Sequence, residues 1–378
     1  MDWLEIALWV PQAIVVFVVS TFLFDALHYM LHRWTKSPNK LLRKFASWHQ
    51  VHHAFLDRAM RINPRWTRAN IWCHLVPEYL TASAGTLAFL LIFPWQPVAL
   101  VAAIQTIAFV CNIVTEGMDP HHMTMKRLSG ITGIWWVNKS YHALHHIYPN
   151  KFYSSYTNAF DLLFGTGYQF ERRTFLITGA NGAFGSALVK RLEAAGAYVE
   201  TAKYGEDYTV GQYDGLTEKM ARAQVLVLAH GAKSVGCNDA NNVTFVDMIE
   251  KFREIGKTRL VPPEIWGLGS EAELHGDMGM AELKDYAASK RAFAVKASQY
   301  YRAKDLTYRH IVPAAFTSRM GKGAISANMA VSIALFFIKR NFRYVPVTYT
   351  TLAYWNYFRF LAARGAQTTP SLNQPERA

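Results

Sequence analysis

The sequence has little cysteine and few charged residues for its length. Its three cysteines, Cys73, Cys111 and Cys237, lie far apart, and no two of them have CxxC spacing. This distribution excludes a disulfide framework or a thiolate zinc site and favours a reducing compartment. Charged residues make up 18% of the 378 residues and hydrophobic residues 51%, which excludes a disordered or collagen-like chain.

Acidic residues are also scarce, because 27 Asp and Glu stand against 40 Lys and Arg and leave a formal net charge of +13. This excess needs an anionic partner, either nucleic acid or phospholipid head groups. Histidine is unevenly distributed, with eleven of the 14 between His28 and His146. The chain therefore divides into two chemically different halves, in agreement with a length typical of two or three domains.

The first half contains two apolar regions of membrane-spanning length. Residues 4–24 predict an uncleaved transmembrane helix, and residues 71–114, interrupted by Pro94 and Pro97, predict a helical hairpin. Between them, residues 33–68 carry nine Lys and Arg against one Asp, which predicts a cytoplasmic segment. Beside membrane helices such charge favours a lipid surface over nucleic acid.

Three histidine clusters adjoin these apolar regions. They are His28-x3-His32, His49-x2-His52-His53 and His142-x2-His145-His146. Residues three or four apart share one face of a helix, so each cluster directs its imidazoles toward one point. Eight imidazoles without a thiolate suit two first-row metal ions, and iron, copper and zinc all accept this donor. Heme ligation is the competing interpretation, but it uses only two histidines.

The order HxxxH, HxxHH, HxxHH resembles the fatty acid hydroxylase/sterol desaturase superfamily of membrane di-iron enzymes over about residues 10–170. The segment Asp161–Thr166 is similar to the end of that domain. The resemblance implies two iron ions bound by the eight clustered histidines, with O2, a lipid substrate and an electron donor protein as partners. The family usually supplies a further histidine after the second cluster. Glu116 stands there as a candidate ligand, and His121 or His122 is the alternative.

The second half begins with an apolar strand, a glycine turn and a helix. Residues 174–177 precede Gly179, Gly182 and Gly185, whose spacing lets the backbone approach a pyrophosphate at a helix N-terminus. Further strands are predicted at 197–202, 224–229, 264–268 and 307–312. Because helical segments separate them, an α/β domain with a parallel sheet is expected.

Tyr286 and Lys290 lie four residues apart on a predicted helix between the last two of these strands. A neighbouring ammonium lowers the pKa of a phenol and makes it a usable acid or base. With the glycine turn, this pair resembles the short-chain dehydrogenase/reductase family over about residues 173–320. The resemblance implies that Tyr286 transfers a proton and that Lys290 orients the nicotinamide ribose. Ser270 is the candidate for the family's serine, although its separation from Tyr286 is a few residues longer than usual.

Residues after the second and third strands of this half indicate the cofactor. His230 and Gly231 occupy the place of the family's turn beside the nucleotide. Lys203 stands near the end of the second strand, where a cation favours the 2′-phosphate of NADP(H). Glu200 is close enough that a shift of one strand position would weaken this assignment. We predict NADP(H).

The sequence thus predicts a multi-domain protein, in which an α-helical membrane domain (1–170) precedes an α/β Rossmann-like, NADP(H)-binding domain with a parallel sheet (173–320). Residues 321–364 combine a short apolar run with basic and aromatic residues, which predicts interfacial membrane-associated helices. Residues 365–378 are predicted to be a disordered tail. We expect a multi-pass membrane protein with both catalytic domains on the cytoplasmic side and no nucleic-acid partner.

These features predict a di-iron enzyme that hydroxylates or desaturates a fatty acyl, sterol-like or related lipid, fused to an NADP(H)-dependent alcohol/carbonyl oxidoreductase. Two alternatives stay open. Plant wax-producing proteins pair similar domains, so fatty aldehyde chemistry is a neighbouring possibility. The other alternative is a membrane protein whose Rossmann-like domain only senses nucleotide.

Overall fold

A computed structural model of the protein describes residues 3–132, 135–233 and 236–362. The chain forms two compact units, the first comprising residues 1–169 and 339–341 and the second residues 170–338 and 342–378. The tail predicted at residues 365–378 lies outside the described residues.

The first unit is helical. Its helices are α1 (Trp3–Trp34), α2 (Lys40–Phe55), α3 (Thr67–Asn70), α4 (Val76–Leu87), α5 (Trp95–Val114), α6 (Lys139–Ile147) and α7 (Ala159–Phe164). A π-helical turn at Ile71–Leu75 leads into α4, and a 3-10 turn at Ala88–Leu91 extends it. Helix α1 packs against α2, α4 and α5, and α4 packs against α5 across the turn at Pro94.

Two helices of this unit, α1 and α5, are long and apolar enough to cross a bilayer. Their segments Ala7–Trp34 and Trp95–Val114 each have a mean hydropathy of 2.1, and these are the two such segments among the described residues. Both leave most of their apolar surface uncovered by protein, which suits a lipid environment better than water. We conclude that the protein associates with a membrane.

The second unit is built on strands β1 (Thr174–Thr178), β2 (Tyr198–Ala202), β3 (Val225–Leu228), β4 (Glu264–Leu268), β5 (Thr307–Pro313), β6 (Phe316–Thr317), β7 (Ile325–Ser326) and β8 (Tyr344–Val347). Its helices are α8 (Ala183–Ala194), α9 (Thr217–Arg222), α10 (Thr244–Ile255), α11 (Ala272–His275), α12 (Lys284–Tyr300), α13 (Ala327–Lys339) and α14 (Leu352–Ala362).

Six of these strands form one parallel sheet in the order β2-β1-β3-β4-β5-β8, and β6 pairs with β7 separately. All four residues of β3 are apolar and buried, as expected for a strand of a parallel sheet that is covered on both faces. The strand order reverses between β1 and β3. In such sheets the crevice at the carboxyl ends of these two strands is where ligands bind.

The predicted fold class, an α-helical domain followed by an α/β Rossmann-like domain with a parallel sheet, is confirmed. The sheet extends beyond residue 320, however, because β8 pairs with β5. Ala330, Val331 and Ala334 of α13 are buried, so one face of this helix, which was expected to lie at a membrane interface, packs inside protein. Strand β8 was not predicted, because it is only four residues long and its surrounding aromatic residues were attributed to a membrane interface.

Candidate functional site

Five histidines of the first unit converge on one point. They are His28, His32, His49, His53 and His145, and one ring nitrogen from each lies within 4.8 Å of the others. The Nε2 atoms of His28 and His145 are 3.0 Å apart, and those of His32 and His49 are 2.9 Å apart. Nitrogen lone pairs at this distance repel each other unless a proton or a metal cation lies between them. We call these five residues the first histidine group.

A second histidine group consists of His52, His122, His142 and His146, again with one ring nitrogen from each within 4.8 Å of the others. All four side chains are buried, and each leaves its Nε2 atom without a hydrogen-bond partner among the described residues. Burying a polar atom without a partner is costly. Four such atoms in one place therefore indicate a ligand that the polypeptide itself does not supply.

The spacing within each histidine cluster explains how two groups arise from three clusters. His49 and His53, four residues apart, both belong to the first group, whereas His52 belongs to the second. Likewise His142 and His146 belong to the second group and His145 to the first. On a helix, residues four apart point almost the same way, while adjacent residues diverge by about 100°. Each HxxHH motif therefore contributes to both groups.

The opposite ring nitrogens are held by oxygen atoms. The pairs joined through Nδ1 are His28 with the Tyr153 carbonyl (3.0 Å), His145 with the Lys151 carbonyl (2.8 Å), His146 with the Leu56 carbonyl (2.9 Å) and His52 with Asn70 Oδ1 (3.1 Å). Because these oxygens only accept hydrogen bonds, the rings carry their proton on Nδ1 and present the Nε2 lone pair inward. Burial also holds the pKa of His142 well below its usual value, which favours the neutral form that binds metals.

Asp119 orients the ninth histidine, His122. Its Oδ2 accepts a hydrogen bond from His122 Nδ1 at 3.0 Å, and its Oδ1 accepts from the backbone N–H groups of His121 and His122. A carboxylate of this kind commonly fixes a metal-binding imidazole. Of the three residues that the sequence offers between the second and third clusters, His122 lies in a histidine group. Glu116 is exposed on the turn after α5 and belongs to neither group.

The residues present therefore fit two first-row metal ions. One group offers five imidazole nitrogens and the other four, and neither includes a thiolate or a carboxylate. Nitrogen-rich sites of this composition suit iron, copper or zinc.

The glycine turn of the second unit lies at the crevice between β1 and β3. Gly179 has a φ of +71°, and a Cβ atom there would lie 2.4 Å from the backbone nitrogen of His230. A Cβ atom on Gly185 would lie 2.1 Å from the Gly179 carbonyl oxygen. Gly182 caps α8 without a side-chain hydrogen bond, so the first N–H groups of this helix are available to a phosphate. The geometry fits a nucleotide pyrophosphate.

Tyr286 and Lys290 lie on α12 near the end of β4. The Lys290 side chain is buried, donates a hydrogen bond to the Leu268 carbonyl at 2.8 Å and lies 5.9 Å from the centre of the Tyr286 ring. Burial lowers the pKa of Lys290 to about 8, against the opposing effect of Glu273. Burial raises the pKa of Tyr286, and a hydrogen bond with Ser270 opposes that rise. The structure thus brings the three predicted residues together.

Asn241, which the sequence did not single out, joins two parts of this crevice. Its Nδ2 donates hydrogen bonds to Ser289 Oγ on α12 (3.0 Å) and to the Ala232 carbonyl (2.7 Å), and its Oδ1 accepts from the Ala232 N–H group (3.1 Å). It lies in a π-helical turn at Asp239–Val243. No sequence spacing predicts this π-helical turn, which brings the Asn241 amide to α12.

His230 and Gly231 lie in the loop that Asn241 holds. His230 Nδ1 is 2.6 Å from the hydroxyl of Thr178 at the end of β1, and a Cβ atom on Gly231 would lie 2.7 Å from Asn241 Oδ1. Burial, helped by the nearby Lys290, lowers the pKa of His230 to about 3. His230 is therefore neutral at the floor of the crevice.

Lys203 directly follows β2, and its ammonium forms an ion pair with Glu206. Both side chains are more than half exposed, and exposed pairs of this kind are weak. Glu200 is instead paired with Arg222 at 2.9 Å. Lys203 thus places the expected cation at the end of β2, where the Glu206 carboxylate would compete with a 2′-phosphate for it.

Comparison with known proteins supports the description of the first unit. Residues 13–166 match the family model for fatty acid hydroxylases, which confirms the resemblance seen in the histidine clusters. A protein of Synechocystis sp. named monoglucosyldiacylglycerol epimerase is 26% identical over 377 residues, covering 87% of this chain and 89% of that protein. The family and the fold together indicate an oxidoreductase.

Solved structures similar to the chain include short-chain dehydrogenases. One from Burkholderia cenocepacia, in complex with NADP, is 18% identical, covers 52% of this chain and 97% of that chain and has a TM-score of 0.40. Another from Burkholderia phymatum, in complex with NAD, is 15% identical, covers 54% of this chain and 100% of that chain and has a TM-score of 0.41.

Removing one histidine from either group should lower the metal content of the purified protein. We expect His145→Ala to reduce iron bound at the first group and His52→Ala at the second, in each case from about two ions per chain toward one, since each loses a donor nitrogen. Elemental analysis of the full chain measures this. The exposed His275, changed to Ala, is the matched control and should keep both ions. Unchanged iron in both group variants would contradict the assignment.

Proposed function

We propose that the protein is a membrane lipid oxidoreductase whose first unit binds two iron ions and uses O2 to hydroxylate or desaturate a fatty acyl or related lipid. The observation that carries this proposal is the set of four buried, unpartnered Nε2 atoms in the second histidine group, beside the five nitrogens of the first. Nitrogen-bound iron supplies the activation of dioxygen. The match to fatty acid hydroxylases supports a lipid as the substrate.

An apolar cavity among α1, α4 and α5 supports an alkyl chain as the part of the substrate that is oxidised. Phe17, Phe24 and Ile104 are among its lining residues, as is Glu78. Glu78 Oε2 is 3.4 Å from His74 Nε2, and the His74 ring stacks on His52 of the second histidine group with centroids 3.7 Å apart. The cavity thus approaches the metal-binding residues, and its apolar walls would exclude water from the chain.

Oxidation of the lipid by O2 also consumes two electrons, which an electron donor protein would supply. Insertion of one oxygen atom into a C–H bond leaves the second atom of O2 to become water, which requires two electrons and two protons. Desaturation removes two hydrogen atoms from the lipid and converts O2 into two molecules of water, again with two electrons from the donor.

In the second unit we propose an alcohol/carbonyl oxidoreductase that uses NADP(H). A bound NADP(H) would supply or accept hydride at the carbon that carries oxygen, and Tyr286 would give or take the hydroxyl proton. Lys290, fixed by the Leu268 carbonyl, orients the nicotinamide ribose. Gly179, Gly182 and Gly185 hold the pyrophosphate.

A second candidate function is the epimerisation of a glycolipid. The observation that favours it is the relative named monoglucosyldiacylglycerol epimerase, which aligns over both units of the chain. Oxidation of a sugar hydroxyl to a ketone passes hydride to NADP+, and return of that hydride to the other face of the ketone inverts the carbon. Tyr286 would take the hydroxyl proton and return it, so this reaction needs no O2 and no net reductant.

Oxygen labelling distinguishes these two functions. Membranes of cells that express the protein should be incubated with 18O2, and their lipids compared by mass spectrometry with those from cells expressing His145→Ala. We expect a lipid that gains one 18O atom or loses two hydrogen atoms only with the wild-type protein. A change of sugar configuration that proceeds without O2 would favour the epimerase instead. No O2-dependent lipid product in the wild type would contradict the di-iron proposal.

Replacing Tyr286 tests the second unit. With hexadecanal as a probe carbonyl, Tyr286→Phe should lower NADPH-dependent turnover by about a hundredfold or more, because general acid catalysis is lost with the hydroxyl. NADPH affinity should stay within about twofold, since α12 and the glycine turn keep their structure. The exposed Tyr204, changed to Phe, is the control and should be fully active. Undiminished turnover in the Tyr286 variant would remove this residue from the reaction.

Lys203 should determine the choice of cofactor. A charge-assisted hydrogen bond to the 2′-phosphate is worth about 1.5–3 kcal/mol, so we expect NADPH to bind roughly ten- to a hundredfold more tightly than NADH. Lys203→Asp should abolish this preference, whereas Glu206→Gln should increase it by freeing the ammonium. Titration of both nucleotides at low ionic strength measures these affinities. Equal affinity of the wild type for the two cofactors would refute NADP(H).

A further inference from the structure

A buried carboxylate, Glu273, lies behind the tyrosine–lysine pair of the second unit and has no role in the function proposed above. Its side chain is 1% exposed, and its Oε1 accepts a hydrogen bond from His310 Nε2 at 2.9 Å. His310, itself fully buried on β5, has its Nδ1 atom 3.0 Å from the Tyr308 hydroxyl. The three side chains form a chain of hydrogen bonds inside the sheet domain.

This chain of hydrogen bonds reaches the candidate catalytic serine through the backbone. Glu273 Oε2 accepts a hydrogen bond from the Ser270 N–H group at 3.3 Å. A Cβ atom on the intervening Gly269 would lie 2.7 Å from Glu273 Oε2 and 2.8 Å from His310 Nε2, so glycine leaves the space that this contact needs. The position of Ser270 therefore depends on where His310 holds the carboxylate.

The ionisable groups around Glu273 belong to three elements. His310 and Tyr308 face it from β5, Tyr286 and Lys290 from α12, and Tyr344 from β8. Two cations of α12 lie near Glu273, since Arg291 Nε donates a hydrogen bond to the Glu273 backbone carbonyl at 3.3 Å and the charge of Glu273 opposes the lowering of the Lys290 pKa by burial. The Lys290 ammonium donates its hydrogen bond to the Leu268 carbonyl, and Glu273 Oε2 lies 2.7 Å from where a Cβ atom on the adjoining Gly269 would be, so the two groups are near each other although no ion pair joins them.

We propose that Glu273, held by His310, is a positioning residue that fixes Ser270 beside Tyr286 and keeps a negative charge near Lys290. The proposal rests on the alcohol/carbonyl reaction assigned to the second unit. A neutral side chain of the same shape at residue 273 would leave the Lys290 ammonium buried without its counter-charge. It would also weaken the hydrogen bond that orients Ser270.

A neighbouring carboxylate provides a matched control. Glu271 is as buried as Glu273 and lies two residues away. Its Oε1 instead accepts hydrogen bonds from the hydroxyl groups of Thr348 and Thr350, the latter at 2.7 Å. Glu271→Gln thus removes a buried negative charge from the same segment without touching Ser270 or His310.

The first test follows the protonation of Lys290 and needs no substrate. Full-length protein in detergent is treated with acetic anhydride over a range of pH, and acetylation of Lys290 is quantified by mass spectrometry. Loss of a counter-charge stabilises the free amine, so Glu273→Gln should lower the midpoint pH by about one unit. Glu271→Gln should leave it unchanged, and Glu273→Asp should restore it. An unchanged midpoint in Glu273→Gln, with NADPH binding intact, would overturn the proposal.

The second test measures turnover with hexadecanal and NADPH. Glu273→Gln should lower kcat about tenfold or more, because the Ser270 N–H group loses the carboxylate that holds it. Adding Ser270→Ala should cause little further loss, since the two residues act through one hydrogen bond. Glu273→Asp keeps the charge on a shorter side chain, so its kcat should fall while its acetylation midpoint stays at the wild-type value. Full kcat in Glu273→Asp would overturn the positioning role even if Glu273→Gln does not fold.

These two tests separate the inference from the function on which it rests. A wild-type protein without carbonyl reductase activity would refute the proposed alcohol/carbonyl function, whereas the acetylation profile would still decide whether Glu273 is coupled to Lys290.

Discussion

The nine imidazoles of the two histidine groups, eight of them buried and His53 partly exposed, impose the strongest constraint on this structure. Four of their Nε2 atoms are buried and have no hydrogen-bond partner among the described residues. Burial of these atoms without a partner is costly, and cations bound at the two histidine groups, as proposed, would remove that cost. The surrounding chain serves this geometry, since the Leu56, Lys151 and Tyr153 carbonyls fix the rings through Nδ1. We therefore expect metal binding to stabilise the helical unit.

The second unit meets a related constraint with different means. Its parallel sheet leaves a crevice where the strand order reverses, and glycines let the backbone close tightly around it. Behind the crevice the buried Lys290 is fixed by the Leu268 carbonyl, and Glu273 partly opposes the lowering of its pKa by burial. In both units several buried polar groups are oriented by a second group, as His145 is by the Lys151 carbonyl and Lys290 by the Leu268 carbonyl.

The sequence predicted the features that depend on local geometry. Helical spacing placed His28 and His32 on one face, and the strand, glycine turn and helix around Gly179 were read directly from their pattern. Features set by tertiary packing could not be predicted. His52 and His53 are adjacent but enter different groups, and Glu273 meets His310, 37 residues away, only because β4 and β5 are neighbours. The short strand β8 could not be predicted either, because its pairing with β5 depends on tertiary packing.

The central claim, that nine histidines bind two iron ions, is tested most directly by X-ray absorption at the iron edge on the purified full-length protein. The account predicts about two irons per chain, each surrounded by four to five nitrogen or oxygen atoms, with no sulfur neighbour and no porphyrin signal. Protein that binds no iron after iron is supplied, or a single iron held in a porphyrin, would contradict it.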